Sequence, residues 1–167
     1  DDERAEVGAG GRVAHVDVVL QQRIDARHLV KIAARDAGKR ALQPVELVEG
    51  ELTEYLQQQR EAFDVIVSAD TLVYFGDLQD FAVAAAGALR PGGRVIFTLE
   101  ESKDDDGDDF TLRPHGRYNH RRTYVERVMA GAGLRAAIGS AELRMEAGAP
   151  VDGLVVHATK PGGDDHA

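Results

Sequence analysis

Two stretches of the 167-residue chain combine residue types able to do chemistry. The first is FDVIVSADTLVY, Phe63 to Tyr74, where a continuous apolar run ends at Ser68, Ala69 and Asp70. Such a run reads as a parallel strand covered on both faces, and ligands of open parallel sheets bind just beyond the carboxyl ends of the strands. Small residues at Ser68 and Ala69 let a ligand approach the backbone, while Asp70 and Tyr74 can line a reaction site. The plainer reading of Asp70 is a helix cap or a loop carboxylate. The second stretch is RPHGRYNH, Arg113 to His120. It offers His115, Tyr118 and His120, any of which can orient or deprotonate a bound acceptor, although a loop histidine is more often structural or solvated. None of the histidines has the paired spacing of a metal site.

The elements that must hold these residues follow from hydrophobic period. Val45 to Gly50 reads as a short buried strand, Leu52 to Ala62 as a helix with Leu52, Tyr55 and Leu56 on one face, and Phe63 to Ala69 as the apolar strand. Asp77 can cap an Ala- and Leu-rich helix that stops at the Pro91-Gly92-Gly93 turn. Arg94 to Glu100 is then a β-branched and aromatic strand. Strand, helix, strand, helix, strand in that order predicts right-handed crossovers and an α/β fold, a mostly parallel open sheet with helices on both faces. A further helix is expected over Arg121 to Leu134, with Tyr124, Val125, Val128 and Met129 inward. Ala141 to Glu146 and Gly153 to Thr159 flank AGAPVD and predict a closing antiparallel hairpin.

Composition narrows the class of function. A chain of this size with 43% apolar residues fits one domain, expected over residues 1–160, with 161–167 as a disordered tail. Cysteine is absent, so no disulfide or thiolate site holds the fold, in keeping with a cytoplasmic protein. The net charge of -9 disfavours nucleic acid as a partner, and no apolar run is long enough to cross a membrane. A small molecule or a protein is the expected substrate. The one basic cluster, Arg113 to Arg127, can hold an anionic substrate, although a solvated loop and helix face explains it better.

Ala62 to Glu101, with its FDVIVSAD strand and LRPGG turn, resembles the class I S-adenosylmethionine-dependent methyltransferases, and the order of elements extends the resemblance from about Val45 to Lys160. The wording ADTLVYFGDL, GRYNH and LRMEAGAPVDGLVV is most similar to predicted methyltransferases that often carry tetratricopeptide repeats, though no repeat occurs here. The resemblance implies a Rossmann-like fold and S-adenosylmethionine as cofactor, with Ser68, Ala69 and Asp70 at its methyl end. It places Gly50, Glu51 and Leu52 beside the adenine, although Glu51 also suits a helix first turn. It assigns the acceptor side to His120, Tyr118 and Asp70. In EVGAGGR, Gly8 and Gly10 match the first two glycines of the family's loop, and Arg12 stands where the third is expected. For the acid that binds the ribose hydroxyls, Asp25 has the better spacing and a plausible helix after it, and Asp17 the better strand. Residues 1–44 are thus expected to be atypical or truncated. The competing reading is a degenerate, non-catalytic binding module of the same fold, and a nicotinamide-dependent oxidoreductase has too little room.

Overall fold

The computed structural model describes residues 14–21, 29–36, 46–103, 107–146 and 148–163. The elements run β1 (Ala14–Gln21), β2 (Leu29–Asp36), β3 (Glu46–Glu49), α1 (Leu52–Gln57), β4 (Phe63–Ser68), a 3-10 turn (Leu72–Tyr74), α2 (Gln79–Ala88), β5 (Leu89–Glu101), β6 (Phe110–Leu112), β7 (Tyr118–His120), α3 (Arg122–Gly131), β8 (Arg135–Glu146) and β9 (Ala149–Thr159). They form one open sheet in the order β3-β2-β1-β4-β5-β7-β6, with β9 joining β5 and β8 joining β9.

The Rossmann-like α/β sheet is the expected one, and three of its details differ from expectation. Parallel pairing is confined to β1 with β4, β4 with β5 and β5 with β7. The strands β1, β2 and β3 form an antiparallel meander instead, with β1 and β2 in register from Ala14 opposite Asp36 to Gln21 opposite Leu29. Connection length explains this. A parallel crossover needs a dozen or more residues, and fewer than that separate Gln21 from Leu29 or Asp36 from Glu46. The helix expected after Asp25 is therefore replaced by β2, whose Val30 and Ile32 suit a strand. The closing hairpin is longer than expected, β8 and β9 pairing from Arg135 opposite Thr159 to Glu146 opposite Ala149.

Alternation along the strands sets the layers. Ile66 and Ser68 of β4, Val95, Phe97 and Leu99 of β5, and Leu154, Val156 and Ala158 of β9 turn to one side and are buried. They meet Leu52 and Leu56 of α1, the alanines and Phe81 of α2, and Tyr124, Val125 and Met129 of α3 in a single core. Phe81 stands edge-on to Phe97 at 5.7 Å, a favoured aromatic arrangement. The third differing detail is that all three described helices share this core. Val65, Val67, Ile96 and Thr98 on the other face are only half-buried, and among the described residues no helix lies against them.

The start of β5 depends on one glycine. A Cβ at Gly93 would lie 2.8 Å from the Arg90 carbonyl oxygen and 3.2 Å from that of Asp64. Both neighbours are backbone, so neither can move aside cheaply where β4 and β5 shift register. Gly93→Ala should therefore destabilise the protein by about 1–3 kcal/mol, read as a lower urea midpoint at unchanged slope. An unchanged midpoint would show that the two strands tolerate separation there.

Candidate functional site

Strand direction decides what meets at the site. Because β1 is parallel to β4 and antiparallel to β2, and β2 is antiparallel to β3, the strands β1, β3, β4 and β5 all point the same way. Their carboxyl ends share one edge. Gly50 and Glu51 follow β3 there, Ser68 to Asp70 follow β4, and Glu100 and Glu101 close β5. Three strand spacings separate β3 from β4, so this edge is roughly 14 Å long.

The residues expected on the adenine side are in place and show how each is occupied. A Cβ at Gly50 would meet no atom of the described residues within 4 Å. Glu51 is the N-cap of α1, its Oε2 accepting from the Glu54 N–H at 2.7 Å. Leu52 is fully buried in the core, which leaves only its backbone for a ligand. Gly8, Gly10 and Asp25 lie outside the described residues. Asp17 sits within β1, opposite Val67 on one side and Ala33 on the other. It is four residues short of the end of β1.

At the end of β4, Ser68 is 1% exposed and its buried hydroxyl has no partner among the described residues. Ala69 is exposed, and Asp70 adopts a left-handed backbone with φ of 54°. Asp tolerates that region better than most residues, and here its N–H donates to the Thr98 hydroxyl at 3.1 Å. This is not the helix cap considered from sequence. Asp77, expected to cap α2, instead stands one residue before its N-cap Leu78, with its Oδ1 accepting from the Gln79 N–H at 2.8 Å.

Facing Asp70 is a charged cluster that the sequence reading did not assemble. Glu100, with a side chain 7% exposed, accepts from Arg144 Nη2 at 2.5 Å, and Arg144 Nη1 lies 3.5 Å from Asp70 Oδ1. His115 Nε2 stands 3.6 Å from the other Glu100 oxygen, Oε2, and Arg117 Nη1 lies 3.9 Å from Oε1, the oxygen that Arg144 contacts. Arg117 is steadied by Tyr74, donating Nε–H to its hydroxyl at 3.2 Å and lying over the ring. The signal for Glu100 was present, a carboxylate ending the apolar run RVIFTLE. The signal for Arg144 was not, because it sits some forty residues further on in the hairpin.

Tyr118 and His120 occupy β7, within a hairpin with β6 that the sequence reading took for loop. His120 is fully buried, stacked 6.1 Å from Tyr124 and next to Phe110, with Nε2 3.0 Å from the Gly76 carbonyl oxygen. Tyr118 is half-buried and edge-on to Phe110. His120 thus supports the site from beneath, tying β7 to the loop after the 3-10 turn. Tyr124 does the same from α3. Its hydroxyl accepts from the Leu78 N–H at 2.8 Å and donates to Asp77 at 3.0 Å. Burial pushes this phenol up to about 12, so it keeps the proton it donates. No described group of His, Asp or Glu residues is arranged to hold a metal, and no described helix is long and apolar enough to cross a membrane.

Burial holds His120 below its ordinary value of 6.5, against the raising effect of its hydrogen bonds to Gly76 and Phe75. A histidine kept neutral in the fold contributes stability above the unfolded-state value, and that contribution is lost as pH falls through 6.5 toward the folded-state value. Urea unfolding at about pH 7.5 and about pH 5.5 should show a loss at the lower pH that shrinks in His120→Phe. Equal losses in the two proteins would show that His120 charges freely in the folded state.

Comparison with known proteins agrees with this geometry. The family model described as a methyltransferase domain matches residues 5–97, a range that takes in the glycine-rich segment, β1, β4 and most of β5. No curated protein matches in sequence. Among solved structures, a SAM-dependent methyltransferase from Methanosarcina mazei is 14% identical, with TM-score 0.52, over 67% of this chain and 66% of its own. Phosphoethanolamine N-methyltransferase 2 of Haemonchus contortus, solved with phosphomonomethylethanolamine and S-adenosylhomocysteine, is 14% identical, with TM-score 0.53, over 67% of this chain and 36% of its own. A possible exported protein from Bordetella parapertussis is 15% identical, with TM-score 0.50, over 67% and 43%. At such identities these likenesses speak for the fold alone, and the chain spans less than two thirds of the length of each. The family model covers more than half of the chain, so the protein belongs to the methyltransferase domain family, and the cofactor this implies is S-adenosylmethionine.

Proposed function

We propose that the protein transfers the methyl group of S-adenosylmethionine to a small molecule or a protein side chain. The observation that carries the proposal is the shared direction of β1, β3, β4 and β5, which brings Gly50 and Glu51 to the same edge as Ser68, Ala69 and Asp70. The described part of that edge fits the cofactor. A Cβ at Gly50 would meet no described atom within 4 Å, and Ser68 offers a buried hydroxyl with no described partner. Gly50, Glu51 and the Leu52 backbone would hold the adenine side, and Ser68, Ala69 and Asp70 the methionine side. The bound cofactor supplies an activated methyl group on a sulfonium.

What the chain must add is alignment, since most of the rate of such a transfer comes from holding the nucleophile in line. Asp70 and Tyr74 flank the mouth of the site, and the contact of Arg144 with Asp70 ties the β8–β9 hairpin to it. His115 is 41% exposed and lies beside Glu100. It is better placed than the buried His120 to take a proton from an acceptor that has to lose one. His120 and Tyr118 then act as positioning residues.

A second reading, a non-catalytic module of the same fold, is favoured by the reversed direction of β2. An acid at the end of that strand, such as Asp36, falls at the edge opposite Asp70. Asp25, outside the described residues, lies in sequence between Gln21 and Leu29. Calorimetry with S-adenosylhomocysteine distinguishes the readings. Micromolar binding is expected, with Asp25→Ala weakening it at least about tenfold, or roughly 1.4 kcal/mol, and Asp17→Ala weakening it less. No binding by the folded protein at millimolar ligand would sink the proposal, and the reverse ranking of the two variants would refute the ribose assignment.

A further inference from the structure

We infer that Thr71 and Thr98 are positioning residues for the cofactor, acting together on the one peptide group that joins Ala69 to Asp70. The inference rests on the methyl-transfer reading, because it concerns the end of β4 where the methyl donor is expected. The ladder between β4 and β5 ends at Ser68 opposite Phe97, and by Asp70 the backbone has turned into the left-handed region, with φ of 54°. That region is unfavourable for a residue with a Cβ. It persists where the surroundings fix it.

Two side chains do the fixing, and both act on the same peptide plane. Its N–H, that of Asp70, donates to the Thr98 hydroxyl at 3.1 Å. Its carbonyl oxygen, that of Ala69, accepts from the Thr71 hydroxyl at 3.3 Å. Thr98 follows Phe97 in β5, so it catches the chain just after the ladder lets it go. Thr71 is buried and Thr98 half-buried, whereas Ala69 and Asp70 are exposed. Water can satisfy the polar groups of an exposed peptide without cost to the fold. Two dedicated hydroxyl partners therefore contribute orientation rather than burial. Orientation matters here, because methyl transfer depends on alignment and a site is only as well placed as the groups that support it. The fixed peptide also sets the point from which the Asp70 carboxylate reaches Arg144 Nη1 at 3.5 Å.

The test joins amide hydrogen exchange on the free protein to calorimetry with S-adenosylhomocysteine, with urea midpoints as the check on folding. Thr98→Val keeps the side-chain shape and removes the acceptor. It should speed exchange of the Asp70 amide and weaken S-adenosylhomocysteine, each by roughly three- to tenfold, the worth of one net hydrogen bond. Thr98→Ser should restore both. Thr71→Val should weaken the ligand by a similar factor, and it decides the matter if Thr98→Val fails to fold. Because both threonines act on one peptide, the double variant should lose less than the product of the single losses. Faster exchange with unchanged affinity would make the bonds purely structural and overturn the inference. Unchanged exchange in Thr98→Val, or a double variant that loses the full product, would overturn it too. A wild-type chain that binds no S-adenosylhomocysteine would refute methyl transfer and this inference with it, whereas wild-type binding that every variant retains would refute the inference alone.

Discussion

The parallel pairing of β4, with β1 on one side and β5 on the other, is the constraint from which the rest of the molecule follows. Parallel neighbours send their carboxyl ends to one edge, and the loops leaving those ends must diverge. The same direction puts Gly50 and Asp70 at one edge of the sheet. The same pairing puts Glu100, at the end of β5, beside the segment that leaves β4. A carboxylate so deep requires a cation, and the only way Arg144 can reach it is through the long hairpin that extends β9 past Gly153, the residue paired with Glu100. The hairpin length and the ion cluster are thus two aspects of one arrangement.

The layer beneath the site is aromatic and largely uncharged. His120, Tyr124, Phe110 and Tyr118 pack face to face or edge to face, and their polar atoms reach the backbone at Gly76 and Leu78. Both contacts fall in the segment joining the 3-10 turn to α2, so β7 and α3 hold the loop that follows Asp70. In an unbranched loop such as this, a fixed backbone is what lets Tyr74 steady Arg117. The buried groups here set geometry, while Asp70 and His115 are exposed on the rim.

The sequence was legible where local pattern decides structure. The apolar run FDVIVSA, the Ala-rich helix and the period of Arg121 to Leu134 became the expected elements, because burial on one face leaves little choice of register or period, whereas LRPGG, read as a turn before a strand from Arg94, is itself the start of β5. It was misleading where connection length outweighed propensity. The stretch after Asp25 has the composition of a helix, and it pairs as β2 because too few residues separate it from β1 for a crossover. In the site, Ser68, Ala69, Asp70, Gly50 and Glu51 could be found from strand ends. The histidine beside the rim could not be told from the buried one, since GRYNH does not say which side chain faces the core. Glu100 and Arg144 meet only through tertiary structure, across a separation that no local pattern spans.

The central claim is that the cofactor lies along the carboxyl edge of β3, β1 and β4. Amide chemical-shift mapping by NMR during titration with S-adenosylhomocysteine tests it residue by residue. The account predicts that the largest shifts cluster at Gly50 to Leu52 and at Ser68 to Asp70, with Gly92 and Gly93 at the opposite edge unmoved. Shifts concentrated at Gly92 and Gly93, or spread evenly over the sheet, would contradict it.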